Sequence, residues 1–222
     1  MTASLTERSP KRKVIIMRSL IAHARAFPAR IRDHADDRDS YGRLAEGQSP
    51  EALFITCSDA RVQPAVFTGA RPGQLFELRT AGNAVPPHET DGRPTGESAT
   101  IEFALGVLNV PEVVVCGHSH CGAVGARIRN EDLAALPAVH GWLDAQLPPP
   151  AQLASDESER HQPDVAAAVQ RHVRVQLARL RRYPCVRERE AAGQLRLRGW
   201  YYTVHTGQVL ELDARTDAFL PL

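Results

Sequence analysis

Two short clusters in this chain carry residue types suited to chemistry. They are Cys57-Ser58-Asp59-Ala60-Arg61 and, well downstream, His118-Ser119-His120-Cys121. Thiolate and neutral imidazole are the donors that a borderline-soft cation such as zinc prefers. Cys57, His118 and Cys121 supply three of them. Structural zinc sites are usually closed by four ligands, whereas three with an open fourth position is the catalytic pattern. Zinc with that opening lowers the pKa of a bound water to about 7, which makes hydroxide available at neutral pH. Asp59 stands close enough to Cys57 to reach the ion or its water. As a carboxylate it can accept the hydroxide's proton in a hydrogen bond and aim its lone pair. Arg61 can hold Asp59 in a bidentate pair and keep it ionised.

Each fragment is weak by itself. A cysteine ending an apolar strand is ordinary core. Asp-x-Arg is usually a surface ion pair, and His-x-x-Cys recurs without any metal. Their combination at two strand ends is what points to a cation. His120 stands near enough to compete with His118, although a supporting or solvent-facing role suits it better. Cys116 ends an apolar run and reads as core. Cys185 follows Tyr183-Pro184, has no His or Cys neighbour, and reads as structural or incidental.

The elements that must position these residues are legible in outline. Leu53-Phe54-Ile55-Thr56 runs into Cys57 and reads as a strand buried on both faces, as in a parallel sheet. Gln74 to Leu78, after Pro72-Gly73, reads as a second strand, and Pro111 to Cys116 as a third. Gly117 to Gly122 is expected as a tight loop, followed by a helix from Ala123. That helix places Cys121 at a helix N-terminus, where the macrodipole favours thiolate. Thr95 to Leu108 reads as a helix with Thr95 as N-cap, and Val165 to Leu180 as another. Leu195 to Leu212 reads as a hairpin turning at Thr206-Gly207. Residues 11–35 show helical spacing, with Pro28 bending or ending the helix. Asp36 to Ser40, Gly82 to Gly96 and Leu147 to Pro163 read as connectors, and residues 1–10 as a flexible tail. Strands alternating with helices imply an α/β fold with a mainly parallel central sheet. Ligands then bind beyond the carboxyl ends of the strands, where Cys57 and His118 both fall.

Composition narrows the function classes. The 222 residues suit a single domain, 43% hydrophobic and 24% charged, with a formal net charge of +1. No global field argues for nucleic acid or an acidic membrane. The basic residues Lys11-Arg12-Lys13 and Arg179, Arg181 and Arg182 read as solvated helix faces. Arg18 ends the apolar run Val14-Ile15-Ile16-Met17 after four residues. A secretory h-region needs about 7–15 and a membrane span about 20. The expected compartment is therefore a reducing cytoplasm, with its thiols free or metal-bound. Gly-x-Gly-x-x-Gly after a strand and Gly-Lys-Ser/Thr are both absent, which argues against the nucleotide-binding classes.

At these residues the chain resembles the β-class carbonic anhydrases, whose paired signatures are Cys-x-Asp-x-Arg and His-x-x-Cys. The similarity extends to Gly47-Gln48-Ser49-Pro50, to Arg79-Thr80-Ala81-Gly82-Asn83, to Ser98 to Ala104 and to Gly199-Trp200-Tyr201-Tyr202. It covers about residues 40–213. The resemblance implies reversible hydration of carbon dioxide to bicarbonate and a proton, with one zinc per subunit on Cys57, His118 and Cys121. It implies catalytic roles for Asp59 and Arg61 and a hydrogen bond from Gln48 to substrate oxygen. Gly122 then shapes the substrate site, and Phe76, Ala81 and Phe103 line a small apolar pocket, Phe103 from the partner subunit. It also implies a single domain over residues 1–222, in which an N-terminal tail and helical arm (1–38) embraces a second subunit and 40–213 forms the catalytic core. A homodimer or homotetramer follows, with no nucleic acid or membrane partner. In some family members the aspartate leaves its arginine and becomes the fourth zinc ligand; Asp59 has the same neighbours. Ala60, Thr80, Ala81 and Phe103 depart from commoner family residues, and none of these departures removes a ligand. Two alternatives use the same residues: hydrolysis of carbonyl sulfide or carbon disulfide, and a non-catalytic zinc- or bicarbonate-binding module. Cysteine nucleophile chemistry at Cys57 is disfavoured, because Ser58-Asp59 puts a carboxylate where an anion cradle would be needed.

Overall fold

A computed structural model describes residues 10–88 and 94–222, and divides the chain into two compact units, Met1–Gln48 and Ser49–Leu222. In the first unit, α1 (Pro10–Asp33) is followed by α2 (Ala35–Leu44). Pro28 does not end α1, since a proline removes only one helical hydrogen bond and the turns on either side continue. Nor is Asp36 to Ser40 a connector, because it lies inside α2. The segment holds few apolar residues, so hydrophobic spacing could not reveal a helix there. Phe27 and Tyr41 tie the two helices edge-to-face, with ring centroids 5.7 Å apart. Residues 1–9 of the expected tail and 89–93 of the expected 82–96 loop lie outside the described residues.

The second unit is built on a six-stranded sheet. Its chain order is β1 (Ala52–Cys57), α3 (Pro64–Thr68), β2 (Leu75–Thr80), a 3₁₀ turn (Ala81–Asn83), α4 (Gly96–Gly106) and β3 (Glu112–His118). Then come α5 (Gly122–Arg129), α6 (Pro137–Gln146), α7 (Pro150–Leu153), α8 (Glu157–His161), α9 (Ala166–Leu180) and α10 (Pro184–Ala191). The chain closes with β4 (Arg196–Tyr202), β5 (Val209–Asp213) and β6 (Ala218–Pro221). The spatial order is β2-β1-β3-β4-β5-β6. The first four strands are parallel, and β5 and β6 add antiparallel at one edge. All six residues of β1 are buried, as a doubly covered parallel strand requires.

One face of the sheet meets α4 and α9. Leu53, Ile55, Val113 and Val115 pack there with Ile101 and Leu105 of α4 and with Val173, Leu177 and Leu180 of α9. On the other face Phe54, Val114 and Cys116 pack with Phe67, Trp200 and Tyr202. Cys116 is thus core, and full burial pushes its thiol up to about 12. The expected cap of α4 is realised as a capping box, with Thr95 Oγ1 accepting from Ser98 N–H and Ser98 Oγ from Thr95 N–H. Proline at the first helical turn opens α3, α6 and α10.

Two expectations for this unit change. First, β3 continues through Gly117 to His118, so the expected loop starts later. Gly117 permits this close approach. A Cβ on it would sit 2.9 Å from Val173 Cγ2 and closer still to Val169 Cγ1. Second, Leu147 to Pro163 is not a bare surface loop. It holds α7 and α8, buries Leu153 and Ala154, and is tied to α9 by Arg171, which donates to Leu153 O and to both Glu159 oxygens. Prolines and serines obscured the two short helices, α7 opening on Pro150 and α8 capped by Asp156.

Candidate metal centre

β1 ends at Cys57 and β3, its neighbour in the sheet, ends at His118. Three residues past His118, Cys121 caps the N-terminus of α5. The sulfurs of Cys57 and Cys121 and a ring nitrogen of His118 lie within 4.8 Å of one another, and all three residues are buried. His118 Nδ1–H donates to Ser119 O at 2.9 Å, an assignment set by the carbonyl partner. That leaves Nε2 as a lone-pair donor. It is buried and has no hydrogen-bond partner. A buried imidazole nitrogen with an idle lone pair facing two thiols is the donor set of a thiolate–imidazole metal site, so these residues fit zinc.

The electrostatics agree. The Cys121 thiol hydrogen-bonds Cys57 and, against the effect of burial, holds the Cys57 thiol down to about 4; the backbone N–H groups of Gly82 and Asp59 act in the same sense. The same hydrogen bond, with burial, pushes Cys121 up. As a pair the thiols release one proton readily and hold the second tightly. A cation among the three donors would displace that second proton.

Asp59 lies beside this group, with its Oδ2 4.0 Å from His118 Nε2. Arg61 clamps it: Nε donates to Oδ1 at 2.9 Å, a terminal nitrogen to Oδ2 at 2.6 Å, and the backbone N–H to Oδ1 at 2.9 Å. The guanidinium hydrogen bond holds the Asp59 carboxyl at about 2, so it is ionised near neutral pH. Arg61 also donates to His120 O at 2.9 Å and so ties the Cys57 loop to the His118–Cys121 turn. His120 itself adopts φ +58° and donates its N–H to Asp164 O at 2.8 Å.

Of the other expected site residues, Gly122 opens α5 beside Cys121, and Ala81 opens the turn after β2. Phe76 and Phe103 are not brought to the three donors within this chain. Phe76 pairs in register with Leu53, four positions back along β1 from Cys57, or about 13 Å at 3.3 Å per residue. It packs against Phe103 with centroids 5.9 Å apart, and Phe103 is 43% exposed. Gln48 is the last residue of the first unit. Arg79 was not among the site residues expected from the sequence. At the end of β2, it donates to the carbonyls of Cys57, Asp59 and Val62 at 2.9, 3.1 and 2.7 Å, and holds the loop that carries the first donor and the carboxylate. Its position near the carboxyl end of a strand next to β1 was the available signal.

The family model described as carbonic anhydrase matches residues 52–209, which spans both clusters. The chain belongs to the β-class carbonic anhydrase family. A carbonic anhydrase of Pseudomonas aeruginosa is 41% identical over 89% of this chain and 86% of its own length. The solved structure of the β-carbonic anhydrase CcaA superposes with a TM-score of 0.83 at 34% identity, covering 93% of this chain and 99% of that one. One of two tetrameric β-carbonic anhydrases of Sordaria macrospora does so with a TM-score of 0.63 at 26% identity, over 93% and 98%. As a β-class carbonic anhydrase the chain is an enzyme, and its mostly parallel sheet flanked by helices is the architecture of these structures.

Proposed function

We propose that this chain catalyses the reversible hydration of carbon dioxide to bicarbonate and a proton, with one zinc ion per subunit held by Cys57 Sγ, His118 Nε2 and Cys121 Sγ. The observation that carries the reading is the idle, buried Nε2 of His118 facing two thiols, with an arginine-clamped carboxylate beside it. When bound, zinc with one free coordination position lowers the pKa of a water ligand to about 7 and so supplies a nucleophile at neutral pH. Asp59, ionised, accepts a hydrogen bond from whatever occupies that position and donates none, which orients the reacting lone pair. Arg61 holds that carboxylate in place and keeps it charged. Gly122 and Ala81 border the space in front of the donors, and Gln48 offers a hydrogen bond to substrate oxygen.

Phe76 and Phe103 are assigned to the pocket of a second copy. Their pairing at a distance from their own Cys57, with Phe103 exposed, supports that role. Exposed Ile16, Met17, Leu20 and Ile21 on α1 give the helical arm an apolar stripe for the same partner. The active unit is a homodimer or a homotetramer. No helix among the described residues is long and apolar enough to cross a membrane, and the proposed compartment is the cytoplasm, where the thiols stay reduced.

Stopped-flow hydration assays on protein of measured zinc content test the reading, with carbonyl sulfide and carbon disulfide run in parallel. Carbon dioxide hydration should scale with zinc, and Cys57→Ser should abolish both zinc and turnover. Preference for either sulfur-containing gas, or full zinc occupancy without hydration, would overturn it.

A further inference from the structure

Cys57 accepts a hydrogen bond from a peptide that is itself held from behind. Gly82 N–H donates to Cys57 Sγ at 3.4 Å. The carbonyl of that same peptide unit, Ala81 O, accepts from the indole Nε1–H of Trp142 on α6 at 3.0 Å. The three groups form a chain running from indole N–H through the amide to sulfur. Hydrogen bonds arranged head to tail polarise one another, so a donor on the carbonyl strengthens the donor on the far side of the amide.

The peptide has little freedom to turn away. Gly82 sits at φ +75°, and a Cβ there would meet Ala123 Cβ at 3.1 Å. Its own carbonyl accepts from His172 Nε2–H at 2.8 Å. His172 Nδ1 then accepts from the Gln176 amide at 3.3 Å, and Gln176 Oε1 accepts from Val85 N–H at 2.8 Å. Further along, Val85 O accepts from Arg179 at 3.0 Å, and Pro86 O from Tyr183 OH at 2.9 Å. Residues 81–86 are therefore a strap whose polar groups are fixed from α6, from α9 and from the turn leading into α10.

We propose that Trp142 is a positioning residue for the first metal donor: through the Ala81–Gly82 peptide it sets the direction and strength of the Gly82 N–H hydrogen bond to Cys57 Sγ. This rests on the reading of Cys57 as a zinc ligand. Outer partners of metal ligands orient them and tune their donation. A thiolate that loses its hydrogen bond holds its electrons less tightly, so a sulfur-to-metal charge-transfer band moves to lower energy. An unanchored sulfur also binds the ion less firmly.

The test uses Trp142→Phe, which keeps the packed ring and removes the N–H. Cobalt(II) replaces zinc for absorption spectroscopy, and zinc Kd is measured against a competing chelator. Trp142→Phe should retain wild-type thermal stability to within a few degrees, shift the thiolate–cobalt band to lower energy, and raise zinc Kd about tenfold. An unshifted band with an unchanged Kd would overturn the proposal. A second measurement needs no variant of Trp142. In full-length wild-type protein labelled with ¹⁵N-tryptophan, with the two indole signals assigned through Trp200→Phe, the Trp142 N–H should shift between metal-free and zinc-loaded forms. An indole signal indifferent to the metal overturns the proposal even if Trp142→Phe does not fold. Failure of wild-type protein to bind cobalt or zinc at all would instead overturn the metal reading on which it rests.

Discussion

Asp59 can accept hydrogen bonds without donating any, and that one-sidedness is what its proposed role needs. Asn has the same shape but carries an N–H₂ that can donate to the reacting group and turn it the wrong way. Asp59→Asn is therefore expected to keep one zinc per chain and lose about 100-fold or more in kcat/KM for carbon dioxide. Metal analysis together with stopped-flow rates checks this, and near wild-type activity would remove the carboxylate from the mechanism. At this scale much of the site was legible. Thiolate and imidazole are rare enough together, at strand ends, to point to a candidate metal site, and Asp-x-Arg beside them declared its own ion pair. Arg79 and Trp142 were not legible, because both act through backbone carbonyls. A side chain that grips a carbonyl depends on where the chain passes and leaves no paired residue in the sequence.

At the level of elements, the site depends on how closely β3 lies against α9. Gly117 stands directly before His118, and Val169 and Val173 fill the space a side chain would need. Gly117→Ala would push β3 off α9 at the residue that delivers a donor. The expected cost is about 1–3 kcal/mol of stability, read from urea denaturation, together with weaker zinc binding. Unchanged stability would mean that the two valines move aside freely. The elements that could be read from the sequence were those with a strong hydrophobic signal: β1, β3, and α4 with its Thr95 cap. α2 was missed because its residues are polar, and α7 and α8 because prolines and serines resemble loop. The end of β3 was misplaced because Gly117-His118 looks like a turn, whereas its glycine marks a close helix–strand approach.

For the whole molecule, the parallel order of β2-β1-β3-β4 makes the carboxyl ends of β1 and β3 coincide, and that convergence brings residues so distant in sequence to one point. The same architecture buries His172 completely beneath the strap. Burial holds its ring neutral, with its pKa lowered to about 4 against the usual 6.5. The unfolded chain therefore binds the extra proton first. The stability from the neutral ring is fully present above about pH 6.5 and is lost as pH falls from there to about 4. Urea midpoints at pH 7 and pH 4.5 should show a smaller acid loss in His172→Gln than in wild type, by up to about 3 kcal/mol. Equal losses would show that another group governs acid stability. The strand-end convergence itself is tested most directly by X-ray absorption at the zinc edge on the purified, zinc-loaded protein. Two sulfur neighbours at about 2.3 Å, one imidazole nitrogen at about 2.0–2.1 Å and one further light atom are expected; a shell without sulfur, or a chain that holds no zinc, would contradict the proposed site.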